Sequence, residues 1–290
     1  MTPTGIQKSG SITIARSEAM IGIGPVPPVK SITDNFMASF QAKDFTNYTP
    51  SAAQTVTTIG PCTVTTTLVA PDSPTGGPVV TPLDAGPVIN LNGPNGSKQI
   101  ALNNTNYYSA TLGGGAPLPF PVPGAPGPMP LYLDPGGYTV DNGAGGADVG
   151  PFTATLTALG PAFTWTNADA NLTIDRSAGV DIQWTGGDPA ANVTIQSLSA
   201  APDLVTHQVA GGVFICIVPN NGHFFVTSDV LSLMPATPNL GVPGLSLSTL
   251  SVSTSTQTTF TAEPMLRAPS DLSYTSEVRC NAAGPGQPFH

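Results

Sequence analysis

Few side chains in this 290-residue sequence are placed to do chemistry. A Ser–His–Asp hydrolase of the common type carries its serine in a G-x-S-x-G turn, and no such turn occurs here. The histidines are His207, His223 and His290. His223 follows an Asn-Asn-Gly turn and His207 lies in a polar stretch, so we expect both to be turn or surface residues. The sequence therefore predicts no catalytic residue of this type.

Paired carboxylates offer the other common route to hydrolysis, because a glycosidase needs one as acid and one as base or nucleophile. Most aspartates here lie in turn sequences, such as Asp84-Ala-Gly and Asp134-Pro-Gly. Aspartate is favoured in turns because its side chain hydrogen-bonds the local backbone. We therefore expect a protein that is not an enzyme.

One loop is a candidate for metal binding. Residues 141–148 (DNGAGGAD) supply the carboxylates of Asp141 and Asp148, one amide and several carbonyl groups. Ca²⁺ takes about six to eight oxygen ligands, which such a loop could provide in part. The loop lacks the spacing of an EF-hand and its bidentate glutamate. The main expectation is a tight connection whose glycines adopt positive φ, with calcium as the alternative. No other cofactor is predicted.

Aromatic residues provide the alternative function. Trp165 and Trp184 lie in alternating strands with apolar partners, so we expect both in the core of a sandwich. A row of exposed tyrosines would instead form a platform for sugar rings, typical of a carbohydrate-binding or adhesin-like module. The tyrosines concerned are Tyr107, Tyr108, Tyr132 and Tyr138.

Composition excludes several partners. Only 9% of residues are charged, so the polar surface must consist of Ser, Thr, Asn and Gln, as is common in extracellular β proteins. Net charge is −9 and the eight basic residues are scattered, which argues against nucleic acid and anionic membranes. No run of 18 apolar residues is present, so no membrane span is predicted. The N-terminus lacks the pattern of a signal peptide. We expect that segment to have been removed from this numbering, with export by another route as the alternative.

The cysteines leave a choice open. Cys62, Cys216 and Cys280 match no zinc-binding pattern. One disulfide with one free thiol is compatible with the sequence, as is no disulfide at all. The sequence does not decide which cysteines pair.

Strand and turn signals are regular from about residue 55 onward. Residues 62–69 are rich in β-branched side chains, residues 88–102 have the pattern of a hairpin, and residues 152–156 alternate strictly. Similar runs follow at intervals of about 8–12 residues with turn signals between them, which is typical of a sandwich. We predict an all-β fold of one or two antiparallel immunoglobulin-like β-sandwiches.

The same pattern gives four segments. Residues 1–55 are weakly patterned and are predicted to be an extended N-terminal arm, able to add a strand to a neighbour's sheet. Residues 56–160 and 161–265 are predicted to be a first and a second β-sandwich region. Residues 266–290 are predicted to be a C-terminal tail.

Several short motifs occur together in a fixed order along the middle of the chain. They are LDAG (83–86), GPNG (93–96), PGGYTV (135–140), GGADVGPF (145–152), TWTN (164–167), VDIQWTGGDP (180–189), FIC (214–216) and FFV (224–226). In this order the motifs resemble secreted proteins of soil bacteria, particularly Acidobacteria of the Solibacter type. The resemblance covers about residues 60–235 and implies export and a β-sandwich, with no catalytic residues.

These observations favour a secreted or cell-surface protein with a structural or adhesive role. We expect a homo-oligomer or polymer, such as a self-assembling filament or surface-layer subunit that uses its arm for strand addition. The alternative is the carbohydrate-binding or adhesin-like module, whose partners would be glycans.

Overall fold

The structure is a computed structural model that describes residues 5–21, 29–46, 53–69, 77–103, 107–115, 127–171, 174–203, 205–237, 248–262 and 266–279. Nearly all regular structure in these residues is β. A 3-10 turn spans Ala168–Asn171, and a short helix, α1, spans Ser228–Ser232. The strands are β1 Ile6–Ile21, β2 Val29–Asp44, β3 Ala53–Ile59, β4 Cys62–Val69, β5 Val79–Pro82, β6 Val88–Gly93, β7 Gly96–Ala101, β8 Tyr108–Gly115, β9 Gly136–Asp141, β10 Thr153–Leu159, β11 Thr164–Trp165, β12 Val180–Thr185, β13 Asn192–Pro202, β14 Val209–Pro219, β15 His223–Val226, β16 Ser248–Ala262 and β17 Leu266–Arg279.

The described strands form three sheets. The large sheet has ten strands in the order β3-β4-β14-β13-β16-β17-β1-β2-β5, and β8 also pairs with β2. The second sheet has the order β10-β9-β6-β7, and the third the order β11-β12-β15. Every pair of named strands described is antiparallel except β1 with β17, which is parallel. The prediction of an all-β, mainly antiparallel fold is confirmed.

The N-terminal segment lies inside the large sheet and is not an arm. Strands β1 and β2 form a hairpin paired from Ile6 with Asp44 to Ile21 with Val29. The other edge of β1 pairs with β17, and that of β2 with β5 and β8. Alternate residues such as Ile12 and Phe36 are buried, so the hairpin folds because it contributes one face to the core. The expected arm over residues 1–55 is therefore wrong for the part that the structure describes.

The large sheet also crosses the expected domain boundary near residue 160. Strand β4, from the first half of the chain, pairs with β14 from the second half. The second sheet comes entirely from residues 56–160 and the third entirely from residues 161–265. The two regions thus contribute one small sheet each and share the large sheet. Residues 266–279, expected in a tail, form β17, while residues 280–290 lie outside the described part.

The inner face of the large sheet packs against the second sheet through aromatic rings. Phe40 of β2 meets Tyr108 of β8 edge-on, with ring centroids 6.1 Å apart. The ring centroid of Phe152, just before β10, lies 5.6 Å from that of Phe40 and 4.6 Å from that of Phe260 of β16. All four side chains are buried. Because these rings come from both sheets, they join the sheets into one core.

A buried ion pair lies in the same face. Asp34 of β2 is fully buried and accepts hydrogen bonds from Nε and Nη2 of Arg16 at 2.7 and 2.9 Å. Its Oδ2 also accepts from the backbone N–H groups of Tyr132 and Leu133 at 2.6 and 2.8 Å. Arg16 Nη2 donates to the Leu133 carbonyl at 2.6 Å. The pair therefore holds the segment before β9 against β1 and β2.

The disulfide joins the two halves of the chain. Cys62 of β4 and Cys216 of β14 are directly opposite in the sheet, with Cα atoms 3.9 Å apart and a sequence separation of 154. The register of β4 on β14 thus selects the pairing that the sequence left open. Cys280 lies outside the described residues.

Reduction of this disulfide should lower the free energy of unfolding by about 2–5 kcal/mol, because the bond closes a long loop in the unfolded chain. Urea unfolding with and without reductant, followed by circular dichroism, measures the change. In a Cys62→Ala/Cys216→Ala control, reductant should have no effect. An equal response of that control would show that another group is responsible.

Replacement of Asp34 by asparagine should cost about 3–5 kcal/mol of stability, because the buried Arg16 charge loses its counter-charge. Glu18→Gln is the matched control. It breaks the ion pair with Lys30, whose side chain is half exposed, and should cost less than about 1 kcal/mol. Urea unfolding of both variants measures the difference. Equal costs would contradict the role given to Asp34.

Candidate functional site

The described histidines lie in surface positions, as the sequence predicted. His207 is exposed in a turn with φ of 57°. His223 begins β15 and is also exposed, with Nε2 at 2.5 Å from Oδ1 of Asp181. Gln183 donates to the other oxygen of Asp181 at 2.6 Å. The arrangement is a surface contact between an imidazole and a carboxylate across β12 and β15. His290 lies outside the described residues.

The carboxylates of the calcium candidate belong to separate hydrogen-bond systems. Asp141 Oδ1 accepts from the Asn90 side chain at 2.8 Å and from the Gly143 N–H at 3.0 Å. Asp148 Oδ2 accepts from the backbone N–H of Asp84 at 2.9 Å. Within the described residues, no three His, Cys, Asp or Glu side chains are grouped as metal ligands would be. Asp141 and Asp148 thus bond to different partners, and each carboxylate helps to hold the loop.

The loop 141–148 closes onto Asp84. The Asp84 carbonyl accepts from the N–H groups of Asp148 and Val149, both at 3.0 Å. Gly143 and Gly145 have φ of 61° and 87°, so the expectation of positive-φ glycines is confirmed. A side chain on Gly146 would place its Cβ 2.3 Å from the Gly86 nitrogen. These contacts make the loop a tight connection.

A cavity of about 440 Å³ lies beside this loop. Its lining includes Asp84, Asp148 and Leu102. Below it, Tyr108 donates its hydroxyl to the Gly86 carbonyl at 2.5 Å. Burial raises the pKa of Tyr108, and the negative charge of Asp84 raises it further. The carboxylates of Asp84 and Asp148 at the cavity both accept hydrogen bonds from backbone N–H groups, so they stabilise the loop.

The tyrosine platform that the alternative function requires does not form. Tyr108, Tyr132 and Tyr138 are buried, and Tyr107 is the exposed member of the four. The Tyr132 hydroxyl donates to the Gly96 carbonyl at 2.7 Å. The Tyr138 hydroxyl donates to the Asp134 carbonyl at 2.6 Å. The rings fill the core while their hydroxyls satisfy backbone groups, so the sugar-stacking row is wrong.

Both tryptophans lie in the core, as the sequence predicted. Trp165 and Trp184 are each 2% exposed. Their indole N–H groups donate to Asn167 at 2.8 Å and to Asn220 at 2.7 Å. Each polar atom is thus paired inside the protein, and neither ring is available to a ligand.

The remaining candidate for a functional site is the surface of one half of the large sheet. Strands β3, β4, β14, β13 and β16 are neighbours at one end of it, and none of the five contains a charged residue or a histidine. The charged residues of the sheet are carried by other strands, as in β1 and β2. A sheet face without charge can be covered by another apolar surface without the cost of desolvating ions.

We call the side of β3, β4, β14 and β13 that points away from the core the outer face. Residues directly opposite in the ladders share a face, so Val56, Thr65, Val213 and Leu198 form one row across the four strands. The exposed large apolar residues of the outer face are Val56, Val69, Leu198, Val209, Ile215 and Ile217. Threonines of β4 separate them. The outer face thus presents mainly methyl and hydroxyl groups.

Large contiguous apolar patches on protein surfaces are typical of interaction sites. Ile217 is 55% exposed and Val56 is 61% exposed, although both lie in regular strands. Strand patterning located these strands but missed the outer face, because β-branched residues occupy both faces of β4 and β14. The signal in the sequence was the absence of charge throughout these strands.

Comparison with known proteins gives no family for the chain. No protein-family model matches it, and no curated protein matches it. Among solved structures, it is similar to the Fcho1 mu homology domain of Danio rerio with a bound Eps15 peptide, at 8% sequence identity. The match covers 96% of this chain and 98% of that one, with a TM-score of 0.18, which is too low to support an argument.

Among the residues that the structure describes, no helix combines the length and apolar character needed to cross a bilayer.

One variant separates calcium binding at loop 141–148 from the structural role of the loop. Asp148→Asn should lower the free energy of unfolding by about 1 kcal/mol, because it weakens the charge-assisted hydrogen bond to the Asp84 N–H. The loss should be the same in calcium and in a chelator, as measured by thermal unfolding. Stabilisation of the wild type by calcium that Asp148→Asn abolishes would instead establish the calcium site.

Proposed function

We propose that this protein is an extracellular structural protein, without catalytic activity, that associates through its outer face. The observation that carries the proposal is the uncharged half of the large sheet, with aliphatic side chains left exposed in regular strands. An enzyme would need reactive groups that converge in a cleft. The two carboxylates that line the cavity, Asp84 and Asp148, instead accept hydrogen bonds from the backbone of the surrounding loops.

Two features support an extracellular location. The disulfide between Cys62 and Cys216 is buried within the sheet, and disulfides persist in oxidising compartments. The low fraction of charged residues is compensated by Ser, Thr, Asn and Gln at the surface, as in many exported β proteins. The resemblance to secreted bacterial proteins agrees with both.

The partner that we propose for the outer face is a second copy of the chain. Two such faces can meet about a two-fold axis, since neither carries a charge that would oppose its own copy. Aliphatic side chains would then leave water on both copies, and the threonine hydroxyls would remain near backbone or water partners. Burial of apolar area supplies most of the driving force for such association.

We also propose that the small sheets and the large sheet form two adjoining immunoglobulin-like sandwiches. The second sheet meets the large sheet at Phe152 and Phe260. On the third-sheet side, a Cβ added to Gly187 would lie 3.2 Å from both the Phe163 ring and the Thr254 side chain of β16. These contacts support two layered units that share one large sheet.

Strand addition by a free N-terminal arm is not part of this proposal. Strands β1 and β2 are already paired on both edges within their own sheet. Association through the outer face requires no strand to leave the fold.

Replacement of Leu198 and Ile217 by lysine should weaken association by about tenfold or more, because the contact would then bury unpaired ammonium groups. Sedimentation velocity over a range of concentrations measures the association. Both positions are exposed, so circular dichroism and thermal unfolding should stay close to those of the wild type.

Ser97→Lys/Gln99→Lys is the matched control, because it adds the same charge on exposed positions of β7. It should associate like the wild type. A wild type that is monomeric at every concentration would overturn the proposal, as would equal association of the two lysine variants.

A further inference from the structure

Strand β3 is an edge strand of the large sheet. Its neighbour in the sheet is β4, and no other described strand pairs with it. Its sequence, AQTVTTI, contains no charged residue, proline or glycine. Val56 and its neighbours Gln54 and Thr58 are exposed. An open strand of this composition is a template for pairing with another chain.

Other sheet ends of the described structure carry features that oppose such pairing. Strand β5 has four residues and ends at Pro82. Strand β7 carries Lys98, and β10 has a register irregularity between Leu156 and Leu159 and lies against β16. Short length, proline, lysine and bulges are the devices by which proteins protect sheet edges. Strand β3 has none of them.

The register of the β3–β4 hairpin determines which backbone groups face outward. Ile59 pairs with Cys62 across the two-residue turn, and the pair that flanks such a turn exchanges both backbone hydrogen bonds. Hydrogen-bonded pairs alternate along an antiparallel ladder, so Thr57 and Thr55 also bond to β4. The N–H and C=O groups of Gln54, Val56 and Thr58 therefore point to the open edge.

The spacing at the disulfide agrees with this assignment. The Cα atoms of Cys62 and Cys216 are 3.9 Å apart, close to the spacing of about 4.5 Å for a pair without mutual backbone hydrogen bonds. Cys62 thus directs its backbone groups toward β3 rather than toward β14.

We propose that β3 pairs antiparallel with β3 of a second copy, so that the two large sheets become continuous. Val56 is the midpoint of the strand, and a two-fold axis beside it gives the longest overlap. Gln54 then lies opposite Thr58 of the partner subunit, and Thr55 opposite Thr57 of the partner subunit. No like charges meet in this register, and the open backbone groups of Gln54, Val56 and Thr58 find partners.

This inference deepens the proposed function and rests on it for one consequence. A single two-fold contact closes after two copies, whether through the outer face or through β3. Two different two-fold contacts on one chain generate assemblies larger than a dimer, which close as a tetramer where the two axes intersect at right angles and continue as an open array where the axes do not meet. The β3 contact would thus join outer-face dimers into a larger assembly.

A cysteine at Val56 tests the register directly. Opposite residues of a hydrogen-bonded pair have Cα atoms about 5.5 Å apart, within the range of a disulfide. Val56→Cys should therefore form a covalent dimer in air, seen by non-reducing electrophoresis. All variants of this test carry Cys280→Ser, which leaves the introduced thiol as the one unpaired cysteine.

Thr58→Cys is the matched control, because it is exposed on the same face of the same strand. In the proposed register, its Cα would lie about 14 Å from that of Thr58 of the partner subunit, which is too far for a disulfide. Equal cross-linking of the two variants would overturn the register, and no cross-link in either would overturn the pairing.

A proline at Val56 tests the backbone contact without a thiol. Val56→Pro removes an outward N–H and leaves the ladder to β4 intact, whereas Val56→Thr keeps both the N–H and the β-branch. In sedimentation velocity, Val56→Pro should stop at dimers while Val56→Thr and the wild type form larger species. Identical behaviour of the two variants would contradict the β3 contact.

Different results would contradict the outer-face contact and the β3 contact. If the outer face is wrong and β3 is right, Leu198→Lys/Ile217→Lys leaves association unchanged and Val56→Cys still cross-links. If β3 is wrong and the outer face is right, the lysine variant weakens association while Val56→Pro and Val56→Thr behave alike. If both are right, Val56→Pro combined with the two lysines should be monomeric.

Discussion

The buried carboxylate of Asp34 constrains much of the fold. A carboxylate with no exposed surface requires a counter-charge and several hydrogen-bond donors, because removal from water costs several kcal/mol. Arg16 supplies the charge from β1, and the backbone at Tyr132 and Leu133 supplies two more donors. A slip of one residue between β1 and β2 would turn one partner to the opposite face. The ion pair therefore fixes the register of the long hairpin and the path of the chain before β9.

The large sheet combines two halves of different chemistry. The half at β1 and β2 carries charge, and the second sheet covers its inner face through Phe40 and Phe152. The half from β3 to β16 carries no charge and is held together by the disulfide between β4 and β14. Separation of this kind gives one region suited to solubility and another suited to contact with an apolar surface.

Sequence patterning predicted the strands whose alternation is clear, such as residues 62–69, the hairpin over residues 88–102, and the burial of Trp165 and Trp184. Patterning did not predict the full length of β1 and β2, because polar residues and a glycine interrupt their apolar positions. The place of β1 in the sheet also depends on pairing with β17, which is far away in sequence. The disulfide pairing and the closure of loop 141–148 onto Asp84 also depend on register between distant strands. Local spacing contains no information about such register.

Val56 belongs to both proposed contacts, and this couples them. Its side chain lies on the outer face, while its backbone groups point to the open edge of β3. Pairing through β3 would place two outer faces side by side in one continuous sheet. A partner that binds one face would then meet the second at a high effective concentration, so a weak apolar contact would gain avidity without any new residue. The absence of charge in these strands therefore favours both contacts at once, and a single charge at Val56 would oppose both.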